Sequence, residues 1–147
     1  MAHRIRPLAI CVFLHEGRIL AGEGYDPLKK EFFYRPLGGQ IEFGEYAAQT
    51  VHRELGEEIG AEVTALKYLG TLENIFTYNG EPGHEIVQVY DGRFVDETLY
   101  QCEIIHGHEL DAGSDFKAIW KQLDEFGPGS SPLYPDGLLE MLEQTQA

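Results

Sequence analysis

Hydrophobic and polar residues follow two different periods along this chain, and the change between them marks its elements. From Arg4 to Leu14 the apolar residues Ile5, Leu8, Ala9, Ile10, Cys11, Val12, Phe13 and Leu14 predict a buried strand, with Pro7 at its early edge. His15-Glu16-Gly17 reads as a turn, and Arg18 to Gly22 as the partner strand of a hairpin. A polar loop from Asp26 to Glu31 precedes a short aromatic strand, Phe32 to Arg35. From Tyr46 to Ile59 the period becomes helical, because Ala47, Val51, Leu55 and Ile59 recur every four residues and no proline intervenes. Gly56 lies off that stripe and predicts an exposed glycine inside the helix. Glu62 to Leu72 predicts a strand. Asn74 to Tyr78 and Glu85 to Phe94 predict a hairpin, with Pro82 lengthening its Asn79-Gly80 loop beyond the tight two-residue type. Asp96 to Asp115 is the least regular segment. Phe116 to Leu123 predicts a final strand with Trp120 as a core aromatic. Asp136 to Gln144 predicts a terminal helix capped by Asp136, with Leu138, Leu139 and Leu142 on its apolar face.

Several strands, one central helix and one terminal helix predict a mixed α/β (α+β) layered fold. The 147 residues suit a single domain, 1–147, without repeat, linker or low-complexity tract. Cys11 and Cys102 are too few for a disulfide framework, and the first apolar run is too short to span a membrane. A cytoplasmic, reducing location is therefore expected. The formal charge of −14 changes the picture of partners. Residues 1–80 carry 11 acids and 8 bases, whereas residues 81–147 carry 14 acids and 3 bases. Such a field disfavours long nucleic acid, whose binding needs Lys and Arg, but admits a small phosphorylated substrate delivered with metal.

The densest chemistry lies between Gly38 and Ala61. Glu54, Glu57 and Glu58 stand at i, i+3 and i+4, which puts three carboxylates on one side of the helix. Like charges so spaced repel, and they call for a cation. Mg²⁺, with Mn²⁺ as a substitute, takes oxygen ligands of this kind together with substrate phosphates. A solvated acidic face is the competing reading, but the flanking residues oppose it. Gly38-Gly39 allows close backbone approach, Glu45 suits the positive helix end, and Gly60 sits where a C-terminal cap belongs. Arg35, just upstream, either reaches a substrate phosphate or pairs with one of the many acids. His106 and His108 form an H-x-H pair without a third ligand nearby, which favours a loop pair over a zinc site.

Gly39, five residues, Glu45, seven residues and then Arg53-Glu54-Leu55-Gly56-Glu57-Glu58-Ile59-Gly60 resembles the Nudix box, Gx5Ex7REUxEExGU, in which U is a large aliphatic residue. Every position is met except the last, where Ala61 stands at a packing site. The resemblance implies a mixed sheet between helices, with the box as loop–helix–loop. It implies a hydrolase of nucleoside diphosphates linked to another moiety: a nucleotide, dinucleoside polyphosphate, ADP-ribose or nucleotide sugar. Glu54, Glu57, Glu58 and the Gly38 carbonyl become metal ligands, and Arg53 bridges to Glu45 to orient them. Glu54 is the first choice of base, while Glu103, Glu109, Asp111 and Asp115 are alternatives from the later irregular segment. Members acting on ADP-ribose tend to carry a proline where Phe76 stands. Dinucleoside polyphosphate members tend to carry a tyrosine near Tyr78, which either stacks on a base or packs on Phe76 or Tyr90. A noncatalytic nucleotide-binding regulatory module is the alternative function, although no box glutamate is lost. A calcium-binding acidic domain would need a 12-residue ligand loop that the chain lacks. The expected partner is a small nucleotide-type molecule, with no long nucleic acid and no membrane; a homodimer is allowed.

Overall fold

The computed structural model describes residues 3–110 and 113–146. Its elements are β1 (Arg6–Val12), β2 (Leu14–His15), β3 (Arg18–Asp26), β4 (Glu31–Arg35), β5 (Leu37–Gln40), α1 (Ala47–Ile59), β6 (Val63–Tyr78), β7 (Glu81–Phe94), β8 (Ile104–Glu109), β9 (Ser114–Gln122) and α2 (Leu138–Gln146). One sheet has the order β5-β1-β7-β6 and the other β2-β3-β9-β8, with β4 paired to the second half of β3. The β1–β7 pair is parallel and its neighbours are antiparallel, so the first sheet is mixed, as expected.

The strand β1 is apolar without alternation because both its faces are covered. Ala9 and Cys11, with Phe13 just beyond, pack with Val51 and Leu55 of α1. Leu8, Ile10 and Val12 pack with Leu138 and Leu142 of α2. Burying each such Leu, Ile, Val or Phe side chain is worth roughly 1.5–3 kcal/mol, which makes β1 the common wall of two cores.

The expected hairpin from the first apolar run differs in one respect. The run breaks at Phe13, whose fully buried ring stacks on Phe94 with centroids 3.9 Å apart. Only Leu14 and His15 pair with β3, so the two halves of the run serve different sheets. The second hairpin is also tighter than expected. Tyr78 pairs directly with Glu81, and Asn79 and Gly80 both take positive φ (49° and 80°), the two-residue turn that Asn-Gly favours. Pro82 is tolerated opposite Thr77 because β1 reaches β7 only from Glu85 onward, leaving no neighbouring strand there among the described residues that needs its N–H. The strands predicted on either side of Glu73 are one strand, β6, with register shifts between Thr64 and Lys67 and between Tyr68 and Gly70.

The segment expected to be irregular contains a 3-10 turn (Glu97–Gln101) and all of β8. His106 and His108 are exposed on β8, and His108 Nδ1 lies 2.8 Å from its cross-strand neighbour Asp115. Helix α2 starts two residues later than predicted. It is the backbone N–H of Asp136, donating to Asn74 Oδ1 at 3.0 Å, that fixes its entry. Among the described residues, no helix is long and apolar enough to cross a membrane.

Candidate active site

The site is assembled where β5 meets α1. Gly38 and Gly39 lie beside Ile10 and Ala9 of β1. A side chain at Gly38 would collide with the Ala9 carbonyl oxygen, and one at Gly39 with the carboxyl of Glu54. The chain then turns through Glu42–Glu45, where Gly44 takes φ 84° and Glu45 N donates to Glu42 O at 3.0 Å. Gln49 Oε1 accepts from Tyr46 N at 2.8 Å and closes the first turn of α1. Gly60 ends the helix in the left-handed region, with Ala61 N–H returning to Leu55 O at 3.2 Å. Ala61 is buried in the α1 core, consistent with a packing role at the last box position.

Arg53 is the hub. Its Nε and Nη2 donate to the Glu45 carboxylate at 2.9 and 3.0 Å, and Nη2 also to Gln40 O at 3.0 Å. Its Nη1 reaches Glu54 Oε1 at 2.8 Å and Glu57 Oε2 at 3.3 Å. One guanidinium thus ties β5, the turn and α1 together. Arg53, followed by the Thr50 hydroxyl, holds the Glu45 carboxyl down at about 2.

The three helix glutamates do not share one environment. Glu54 and Glu58 are buried, at 8% and 5% exposure, whereas Glu57 is exposed and turned back to Arg53. Burial is the main cause that raises the Glu54 carboxyl above its ordinary value. Burial first, then the facing Glu109 carboxyl, pushes Glu58 up to about 10, against a stabilising N–H from Gly38. Glu58 Oε1 is buried and has no hydrogen-bond partner among the described residues. Among the described residues, no three His, Cys, Asp or Glu side chains already surround one point, since Arg53 draws Glu54 and Glu57 aside. The donor set nevertheless fits a hard divalent cation: all oxygen, mostly carboxylate, with one buried oxygen unsatisfied and a second carboxylate pressed against it.

Of the later acids, the fold brings Glu109 to the site, at the end of β8. Glu103 and Asp115 are exposed and line neither of the two site cavities, and Asp111 lies outside the described residues.

Two cavities open from these acids. The smaller, about 240 Å³, is lined by Gly38, Gly39, Glu54, Glu58 and Glu109 among others. The larger, about 480 Å³, has aromatic walls from Phe33, Phe76, Tyr78 and Tyr134. Arg6, Phe33, Arg35, Glu85 and Glu109 line both. Arg35 pairs with an acid, its Nη2 lying 3.5 Å from Glu85, and the residue borders both cavities. Tyr78 lines the larger cavity. Its hydroxyl donates to Tyr25 O at 3.3 Å, and its ring meets Phe33 edge-on at 5.8 Å. The expected partners are engaged elsewhere: the Phe76 ring covers Gly83, and Tyr90 lies against Tyr68. Sequence reasoning missed Arg6 and Glu85. The available signal was Glu85 itself, an acid in phase with the buried Val87 and Val89 of β7.

A family model described as the NUDIX domain matches residues 4–140. A protein of Mycobacterium tuberculosis (strain CDC 1551 / Oshkosh), provisionally named mutator protein MutT4, is 38% identical over 71 residues. That match covers 45% of this chain and 29% of that protein, so the alignment spans less than a third of the relative's length. The fold is similar to that of a MutT NUDIX hydrolase from Burkholderia pseudomallei, with TM-score 0.59 and 21% identity over 97% of this chain and 98% of that one. A NUDIX hydrolase from Nitrosomonas europaea gives TM-score 0.65 and 18% identity over 97% and 89%. The E. coli ORF135 protein gives TM-score 0.60 and 20% identity over 99% and 93%. With the family model spanning nearly the whole chain and the box residues assembled as described, the chain belongs to the NUDIX family of hydrolases.

Proposed function

We propose that this chain hydrolyses a phosphoanhydride bond in a nucleoside diphosphate linked to another moiety, with Mg²⁺ as the ion and Mn²⁺ as a substitute. The observation that carries this reading is the buried oxygen of Glu58, without a partner among the described residues, facing Glu109 beside the buried Glu54. Glu54, Glu57, Glu58 and the Gly38 carbonyl would hold the ion, which supplies charge neutralisation for the diphosphate and acidifies water. Water oxygen bonds to phosphorus as the bridging P–O bond breaks, and the released phosphate takes the bonding pair. Glu54 accepts the water proton, its carboxyl being both buried and held by Arg53. Glu109, which lines the same cavity, is the alternative base. Glu45 and Arg53 orient the group, and Arg35 and Tyr78 meet the substrate.

The leaving group is a nucleotide, a nucleoside phosphate of a dinucleoside polyphosphate, a ribose phosphate or a sugar phosphate. The acidic field keeps long nucleic acid out, and the free thiols Cys11 and Cys102 suit the cytoplasm. A phosphate-release screen tests the reading: nucleoside triphosphates, ADP-ribose, nucleotide sugars and dinucleoside polyphosphates, each with Mg²⁺, Mn²⁺ or EDTA. At least one metal-dependent, EDTA-sensitive hit is expected. Silence across the panel, with nucleotide binding intact, would replace catalysis by a noncatalytic regulatory module.

A further inference from the structure

The geometry points to a phosphate receptor at the junction of the two cavities, made of Arg6 and Arg35 and positioned by the buried carboxylate of Glu85; this rests on the hydrolase reading above. Glu85 is 1% exposed and lies between the two guanidiniums, with Arg6 Nη1 at 3.6 Å from one oxygen and Arg35 Nη2 at 3.5 Å from the other. Asn74 Nδ2 donates to it at 3.3 Å from β6. Arg6 enters from β1, Arg35 from β4, and Gln40 Oε1 accepts from Arg6 Nε at 3.2 Å. Neither guanidinium forms the short, paired contacts of a closed Arg–carboxylate fork, so donors on both stay available to oxygens in the cavities.

Charge supports the same assignment. Arg6 and Arg35 are the two cationic side chains that line both cavities, set against the carboxylates of Glu85 and Glu109, in a chain of net charge −14. Glu23, which lines the smaller cavity, is occupied by the Tyr34 hydroxyl at 2.9 Å and by Lys117 at 3.8 Å. A fully buried acid with two arginines around it is costly to place unless both stay, and it fixes where their planes can lie. The substrate is thereby given a direction. Its reacting phosphorus sits in the smaller cavity with Glu54, Glu58 and Glu109. Its other phosphate lies across Arg6 and Arg35. Its nucleoside enters the larger cavity, among Phe33, Phe76, Tyr78 and Tyr134.

The test measures kcat and KM of the best substrate from the screen, and calorimetric binding of a nonhydrolysable α,β-methylene nucleoside diphosphate with Mg²⁺. Both are run on wild type, Arg6→Gln, Arg35→Gln and Glu85→Gln. Each arginine variant should raise KM and weaken analogue binding by about tenfold or more, with kcat changed far less. Glu85→Gln should weaken both as well, although it removes a negative charge. Were Glu85 only a counter-charge, its loss would tighten anion binding, and that result overturns its positioning role. Arginine variants that bind the analogue like wild type, with unchanged melting temperature, overturn the receptor. Binding is read without turnover. An inactive protein whose arginine variants still lose analogue affinity therefore sinks the hydrolase reading alone. An active one with indifferent arginines sinks the receptor alone.

Discussion

Glu58, in the last turn of α1, faces Glu109 at the end of β8 carboxyl to carboxyl, and one Glu58 oxygen is buried without a donor among the described residues. In the metal-free chain this pair is tolerated by keeping a proton. The folded Glu58 carboxyl is pushed from 4.5 up to about 10. The unfolded chain releases that proton near its ordinary value, so between the two values the folded chain binds more protons. Stability from this group is complete below the unfolded value and is lost as pH rises toward the folded one. In EDTA, the melting temperature should therefore fall from pH 5 to pH 9. Glu58→Gln should flatten that slope, and Mg²⁺ should raise the wild-type value at pH 8. An identical slope in the variant would mean that Glu58 does not carry the proton.

Arg53 is predicted to hold the site's architecture. Replacing it with alanine removes the donors to Glu45, Glu54, Glu57 and the Gln40 carbonyl together. Glu45, tucked against the helix and kept ionised by Arg53, is left without its cation. The loss should be about 2–4 kcal/mol by urea denaturation at pH 7. Glu45 is depressed in the folded chain, so its contribution is present above its unfolded value and disappears as pH falls toward 2. The gap between wild type and Arg53→Ala should accordingly narrow at acid pH. A gap that stays constant down to pH 3 would exclude the Glu45–Arg53 pair as its source.

Gly56 offers the opposite kind of change. It is exposed inside α1, and a methyl group there would meet nothing within 4 Å. Gly56→Ala should stabilise by about 0.5–1 kcal/mol, through reduced freedom of the unfolded chain, and leave turnover unaltered. A fall in kcat would show that the site needs a pliable helix.

Tyr78 lines the larger cavity with its ring edge on Phe33. Tyr78→Ala should raise KM by about fivefold to a hundredfold, the cost of one base stacking contact being about 1–3 kcal/mol, with little effect on kcat. An unchanged KM at normal stability would dispose of stacking there.

How much of this was legible beforehand depended on range. The box could be read because its residues lie on one helix and the turn before it, where spacing alone sets which side chains meet. The buried β1 was equally plain as an apolar run. Its break at Phe13 was not, since the two sheets that claim Leu8–Val12 and Leu14–His15 are defined by β7 and β3, elsewhere in the chain. Pro82 misled because a proline was read as part of the loop, whereas its missing N–H matters only if a neighbouring strand needs it. Glu109 and Glu85 acquire their roles across sheets. Glu58 and Arg35 lie some fifty residues before them, and no local period couples such pairs.

The two glycines of β5 separate fold from chemistry within one dipeptide. A methyl group at Gly38 would run into the Ala9 carbonyl oxygen and the Ile10 Cα, both backbone of the shared strand β1, and φ there is +154°. Neither can yield without opening the β1–β5 ladder. Gly38→Ala should therefore cost on the order of 2 kcal/mol or more by denaturation, with activity lost in proportion to folded protein. The atoms nearest a methyl group at Gly39 are those of the Glu54 carboxyl, the far end of a rotatable side chain. Gly39→Ala should leave the melting temperature within a few degrees of wild type, yet push Glu54 out of its place beside Arg53 and lower kcat by about tenfold or more. Equal stability losses in the two variants would mean that Glu54 is as fixed as the backbone. Full activity in Gly39→Ala would mean that the placement of Glu54 seen here is not the one that serves the reaction.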